Sequence, residues 1–335
     1  MRSTSLKSRF AVSLAVLAGC VVLAEILMRV GVIDNDRFGH ESLVRDWEDA
    51  DRTVLILGDS FLASEIRSMI RDEVADDDVA VFNTAVHGMG PYEYLDRIER
   101  AALPSEPDLV LLGVYIGNDL TNVRDRSGNR ASDRVPELLR KPWYAPFLVD
   151  HVKDEMKPDT VYAFEWDRYI ELGVDPALIE DAKENRINPW LLDMVEFNRN
   201  YLLDNVLVEG EANEAGWAKL EELVVAIHGR AEERGADLAM VVFPRSIQID
   251  DSHFEFYRRL TFHLDERTIG SRVPQDRLAA LCAKLDVPML DLLPVFADRE
   301  GEQLYLENDD HLNREGNRLS AREIGVFVGD VLGRD

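Results

Sequence analysis

The chain is 335 residues long, 46% apolar and 8% aromatic, enough to bury one sizeable core. Its 64 acidic against 38 basic side chains leave a net charge of −26. Such a surface repels nucleic acid phosphate and anionic membrane, so no nucleic acid or other polyanion is expected as a partner.

At the start, Arg2, Lys7 and Arg9 precede a run of low polarity over residues 10–24, followed by Glu25, Ile26-Leu27-Met28, Arg29 and a second apolar stretch to residue 33. A basic flank before an apolar stretch of ~15 to 20 residues predicts a secretion signal or membrane anchor whose flank stays in the cytoplasm. Residues 1–33 are therefore expected to be an uncleaved, single-pass N-terminal anchor, with everything after them extracytoplasmic, either periplasmic or extracellular. Leu17-Ala18-Gly19-Cys20 resembles a bacterial lipobox, so the alternatives are a lipoprotein at Cys20 and a cleaved signal. Against the lipoprotein, apolar character continues through Val21-Val22-Leu23. Residues 34–52 read as a polar tether.

Beyond the tether, short apolar runs alternate with helical patterns. Strands are predicted over residues 53–57, 79–82, 109–115, 238–243 and 288–292, and helices over about 61–71, 91–102 and 217–234, with a last helix closing the chain. In that last helix Leu319, Ile324, Phe327, Val328 and Val331 line one face. Near-continuous apolar strands separated by helices predict a three-layer α/β/α fold around a central parallel sheet of about five strands. A mostly helical insertion, residues 120–216, separates the third strand from the fourth. Its Trp143, Tyr144, Trp166, Tyr169, Trp190 and Tyr201 could grip a substrate or form the insertion's own small core. After the fourth strand, Arg245 and Gln248 point toward the sheet's ligand-binding end, as substrate contacts or as part of a solvated loop. Cys282 lies on the helical stripe Leu278, Leu281, Cys282 and Leu285 and reads as a core thiol. No cysteine and histidine cluster has metal-ligand spacing, so neither a metal nor another cofactor is required.

The chemistry-bearing residues follow the strands. Gly58-Asp59-Ser60 comes after the first, Asn83-Thr84-Ala85-Val86-His87-Gly88-Met89-Gly90-Pro91 after the second, and Gly117-Asn118-Asp119 after the third. Asn308-Asp309-Asp310-His311-Leu312-Asn313 stands before the last helix. Each block also has a plain structural reading. Ser60 can cap a helix, Gly88 and Gly90 can shape a turn, Asn118 can close an Asx turn, and His311 can be a hydrogen-bonded core residue.

Taken together, this order of blocks resembles the SGNH (GDSL-like) hydrolase family, over about residues 53–333. The resemblance implies an SGNH or flavodoxin-like sheet, with Ser60 as nucleophile and His311 as general base. It also implies an oxyanion hole made by the Ser60 and Gly88 N–H groups and the Asn118 amide. A serine hydroxyl needs a neutral imidazole to take its proton, and the tetrahedral oxyanion needs fixed donors. The family's common spacing places an aspartate three residues before the histidine, where this chain has Asn308. Asp309 is expected as the triad acid, with Asp310 in reserve and a serine–histidine dyad still open.

The implied activity is a serine esterase acting on an O-acyl group, such as acetyl, of a cell-surface carbohydrate or similar small ester. The alternatives are an O-acetyltransferase on extracellular polysaccharide using the same site, and a non-catalytic carbohydrate-binding or assembly protein on the same fold.

Overall fold

Strand and helix alternate as the apolar runs require: β1 (Arg52–Leu57), α1 (Glu65–Val74), β2 (Val79–Asn83), α2 (Pro91–Arg100), β3 (Leu109–Tyr115) and α3 (Asp119–Arg126). Four short helices follow later in the chain, α4 (Trp166–Glu171), α5 (Pro176–Lys183), α6 (Trp190–Phe197) and α7 (Tyr201–Leu207). The long α8 (Glu211–Glu233) then leads into β4 (Asp237–Phe243), α9 (Ser246–Ile249), α10 (Phe254–Arg259), α11 (Val273–Leu285), β5 (Met289–Asp291), α12 (Leu292–Ala297) and α13 (Arg314–Val331). The computed structural model describes residues 47, 50–63, 65–74, 79–100, 106–126, 166–299 and 301–333. The expected anchor at 1–33 with Cys20, most of the tether, and the part of the insertion carrying Trp143 and Tyr144 lie outside them. Among the described residues no helix is long and apolar enough to cross a membrane.

The five strands form one parallel sheet in the order β2-β1-β3-β4-β5. Ile56 stands opposite both Asn83 of β2 and Leu111 of β3, so β1 and β2 end within a residue of each other while β3 runs on past Leu112, the partner of Leu57, to Tyr115. Side chains alternate across the sheet. One face presents Val54, Ile56, Leu109, Leu111, Ala239 and Val241 to Ile66, Ile70 and Val74 of α1 and to Ile324 and Val328 of α13. The other buries Leu55, Leu57, Val110, Leu112, Met240 and Val242, where α2, α8 and α11 pack on the strands. Both faces are covered, which is why β3 is buried along its whole length and reads as an unbroken apolar run. Each such large aliphatic side chain contributes about 1.5–3 kcal/mol when taken out of water. The α/β architecture expected from the sequence is the one observed.

The differences lie at element boundaries. The helix expected from residue 61 starts at Glu65, because Asp59 first folds the chain into a turn: its carboxylate accepts the Phe61 N–H and its carbonyl the Leu62 N–H. Ser60 therefore sits on a turn and caps no helix. Within the mostly helical insertion, residues 190–207 form two helices, α6 and α7, divided where Asn198 is extended. The helix before β4 begins at Glu211, earlier than expected, just after Gly210 at φ +92°. Tyr169 and Tyr201 are buried, and Trp190 meets Tyr201 edge-on at 5.7 Å, so these aromatics pack within the protein. Cys282 is a buried thiol 3.7 Å from the Met240 sulfur, and burial pushes it up to about 11.

Candidate active site

A sheet of order 2-1-3-4-5 reverses direction between β1 and β3, and the strands' C-terminal ends there form a natural crevice. Ser60 lies at this point. The turn that carries it is tight enough that a Cβ on Gly58 would come within 2.8 Å of the Leu62 Cδ1. The loop after β2 is stitched to the loop after β1, with the Thr84 N–H donating to the Ile56 carbonyl at 2.9 Å and the Val86 N–H to the Gly58 carbonyl at 3.3 Å. Asn118, after β3, donates its amide to the Asp59 carboxylate at 3.0 Å.

The imidazole arrives from the far end of the chain. Residues 304–313 form a small antiparallel ribbon bridged at Tyr305 and Leu312, in which the Leu306 N–H donates to the His311 carbonyl at 2.9 Å. Asn313 ends it by capping α13, accepting from the Glu315 and Gly316 N–H groups. The ribbon holds His311 with its Nε2 2.8 Å from the Ser60 Oγ and its Nδ1 2.8 Å from the Asp309 Oδ1. Asp310 Oδ1 stands farther from Nδ1, at 3.6 Å. Asp310 is engaged elsewhere: its Oδ2 accepts from Arg245 Nη2 at 3.2 Å and lies 3.5 Å from the Tyr115 hydroxyl. Phe61 lies under the imidazole, ring centroids 5.6 Å apart, and stacks in turn on Tyr115 at 3.6 Å.

Gly88, in the stitched loop, adopts φ +73°, a conformation that favours glycine, and is exposed. His87 beside it has its ring 6.3 Å from that of His311. Among the described residues no carbonyl accepts the Ser60 or Gly88 N–H. The structure thus gathers Ser60, His311 and Asp309 into one hydrogen-bonded line, with the Asn118 and Gly88 loops beside it. A pocket of about 220 Å³ lined by Ser246, Asp250, His253 and Tyr305 shares none of these residues.

The acids around the site differ sharply. For Asp309, burial alone would raise the carboxyl, but the bond to His311 and its charge overcome that and hold it below 3.8. Burial raises Asp310 and Asp59, and holds Asp119 well above 3.8 with the Asp59 charge adding to it. Asp119 accepts from the Tyr94 hydroxyl at 3.1 Å and the Tyr115 N–H at 3.0 Å, which fixes the turn leading to Asn118. His311 is pulled both ways. Burial works against its charge, while the Asp309 bond and the charges of Asp310, Asp309 and Asp59 favour it and push it up to about 9. Asp309, Asp310 and His311 also have ligand atoms within 4.8 Å of one another. All three are engaged by protein partners, Asp309 and His311 by each other, His311 by Ser60 and Asp310 by Arg245.

Residues 201–332 match the family described as the SGNH hydrolase-like domain of the acetyltransferase AlgX. Over that stretch the chain is similar to an SGNH hydrolase-like domain. The matched stretch contains β4, Asp309, Asp310 and His311. No curated protein matches the chain in sequence. Among solved structures, the YxiM protein of Bacillus subtilis is similar at 13% identity and a TM-score of 0.43, over 85% of this chain and 57% of that one. This chain thus spans little more than half of that protein's length. The acetyl xylan esterase AlAXEase is similar at 13% identity and a TM-score of 0.41, over 82% and 99%. A variant of Axe2, an acetyl-xylooligosaccharide esterase from Geobacillus stearothermophilus, is similar at 10% identity and a TM-score of 0.42, over 84% and 95%.

Two expectations about the loop after β4 are corrected. Arg245 and Gln248 neither face substrate nor line a solvated loop, because both are buried. The loop turns inward as α9, where Gln248 accepts the Arg245 N–H and donates to the Ser271 carbonyl. Sequence reasoning also passed over Asp59 and Phe61 as supports of the site. Their signal was adjacency to Ser60, which alone does not show which side chains turn inward.

Proposed function

We propose that this protein is a serine esterase of SGNH type that forms an acyl-enzyme on Ser60 and hydrolyses a small O-acyl ester, such as the O-acetyl group of a carbohydrate. The observation that carries the reading is the line Ser60 Oγ, His311 Nε2, His311 Nδ1, Asp309 Oδ1, with both contacts at 2.8 Å. In the first step His311 in its neutral form, whose share grows as pH rises toward about 9, accepts the Ser60 proton as Oγ attacks the ester carbonyl. The oxyanion is met by the Ser60 and Gly88 N–H groups and the Asn118 amide, whose second N–H is left for it once Asp59 has taken the first. Collapse breaks the ester bond, and His311 returns the proton to the departing alkoxide. Water then attacks the acyl-serine with His311 again as base, the acyl–Oγ bond breaks as His311 returns the proton to Ser60, and the free acid leaves. Asp309 holds the ring in the tautomer that leaves Nε2 free to accept, and stabilises the imidazolium as it forms.

A second reading is favoured by the AlgX match: an acetyltransferase in which a sugar hydroxyl attacks the acyl-serine in place of water. One experiment separates them. The purified chain is given an acetylated donor with and without an oligosaccharide acceptor, and free acetate and acetylated acceptor are quantified. Acetate in excess, lost in Ser60→Ala, supports the esterase. Transfer in excess assigns the acetyltransferase, and no turnover by either route removes both. Residues 1–33 would anchor the domain on the extracytoplasmic side, where surface carbohydrate esters are found.

A further inference from the structure

Arg245 is completely buried, yet among the described residues one carboxylate alone pairs with it. Its Nη1 donates to the Gly117 carbonyl and its Nη2 to Asp310 Oδ2 at 3.2 Å. The guanidinium lies over the rings of Tyr201 at 5.1 Å and Tyr257 at 5.9 Å. Burial opposes its charge, but Tyr115, Tyr257 and Asp310 overcome that and keep it protonated. Well-packed apolar residues often stabilise a core as well as a buried ion pair does, so an arginine here points to a role besides stability.

The ends of the guanidinium show what that role is. Gly117 adjoins Asn118, the side-chain donor to the oxyanion. Gly117 is held close, since a Cβ there would come within 2.1 Å of the Tyr115 ring. Asp310 lies between Asp309 and His311. The arginine's own backbone is also fixed, with its N–H donating to Gln248 Oε1 at 2.9 Å and its carbonyl accepting from the Gln248 N–H at 2.9 Å. Next to it, the Ile116 N–H donates to the Phe243 carbonyl at 3.1 Å, joining the loops that end β3 and β4. One planar group thus hydrogen-bonds both the loop of the oxyanion donor and the loop of the general base, backed by Tyr115, whose ring lies against Gly117 and whose hydroxyl donates to the Asp310 carbonyl at 3.3 Å.

We propose that Arg245 is a positioning residue whose rigid fork sets the spacing between the Asn118 amide and the His311 imidazole. The inference rests on the catalytic reading of Ser60 and His311. Lysine keeps the charge but not the fork, so it cannot hold both partners in the same geometry.

The test compares the full-length wild type with Arg245→Met and Arg245→Lys, each checked for a cooperative unfolding transition, using hydrolysis of p-nitrophenyl acetate. A misplacement of about 1 Å costs on the order of 100-fold, so Arg245→Met should lower kcat by about 100-fold with KM held within about threefold. Arg245→Lys should fall between it and wild type. Combining Arg245→Met with Asp310→Asn should lower kcat by less than the two separate losses multiplied, because both remove one connection. Wild-type kcat in a folded variant, or a loss confined to KM, overturns the proposal. If the methionine variant does not fold, the lysine variant decides on the same readings; if neither folds, Arg245 is structural and the proposal is wrong. Failure of the underlying catalytic reading looks different: the wild type then neither hydrolyses the ester nor takes a fluorophosphonate on Ser60, and this inference falls with it.

Discussion

Replacing Asp309 by asparagine keeps the shape of the site and removes one charge and one defined acceptor. Asp309 Oδ1 is 2.8 Å from His311 Nδ1, and it also accepts the Asp310 N–H at 2.7 Å, so the carboxylate orients both the ring and the ribbon that carries it. With an amide there, the imidazole can place its proton on Nε2, facing Ser60, where it blocks proton transfer. Loss of the correct tautomer lowers kcat by about 10,000-fold in the analogous triad, roughly 5 kcal/mol of transition-state stabilisation. The same substitution should move the histidine. His311 stands at about 9 against an ordinary 6.5, and the Asp309 bond is the first cause raising it. In Asp309→Asn its titration, followed by NMR of the imidazole protons in a Ser60→Ala background, should shift back toward 6.5. Because the folded state raises this pKa, protonated His311 stabilises the fold fully below about 6.5, and the contribution is gone above about 9. Asp309→Asn should therefore destabilise the chain more at pH 6 than at pH 9.5. An unshifted histidine, or a variant as active as wild type, would refute the assignment of Asp309 as the orienting acid.

Other consequences are open to direct measurement. Asn118→Ala should lower kcat by about 100- to 1,000-fold with little change in fold, as the loss of one oxyanion donor does; steady-state kinetics beside a circular dichroism spectrum checks both. Asp310→Asn leaves the Arg245 guanidinium buried without its carboxylate. It should lower unfolding stability by about 3 kcal/mol or more in a denaturant titration. Gly316→Ala would drive a Cβ to 2.2 Å from the Leu304 carbonyl, where the first turn of α13 meets the ribbon carrying His311. A loss of about 2 kcal/mol is expected, read as a lower denaturant midpoint.

The sheet was legible because its strands are covered on both faces. Val54 to Leu57 and the whole of β3 are apolar without alternation, and that pattern survives any detail of packing. The Ser60 and His311 blocks were legible as ordered motifs at strand and helix boundaries. What stayed hidden was set by side-chain direction. Whether Asp309 or Asp310 meets the imidazole depends on the path of one short ribbon. Asp310 turns inward because Arg245 and Tyr115 are there to receive it. Arg245 itself looked like a surface cation at the end of a strand. Its burial depends on Asp310, Gly117 and two tyrosine rings that come from distant parts of the sequence. The Asp59 turn that delays α1 was likewise a local hydrogen-bond choice that periodicity does not record.

The central claim is that the Ser60 hydroxyl, activated by His311, forms a covalent bond to an acyl carbon. Its most direct test is mass spectrometry of the purified chain after reaction with a fluorophosphonate, followed by peptide mapping. The account predicts a single adduct on Ser60, absent from Ser60→Ala and formed far more slowly in His311→Ala. No adduct, or one equally abundant in Ser60→Ala, would contradict it.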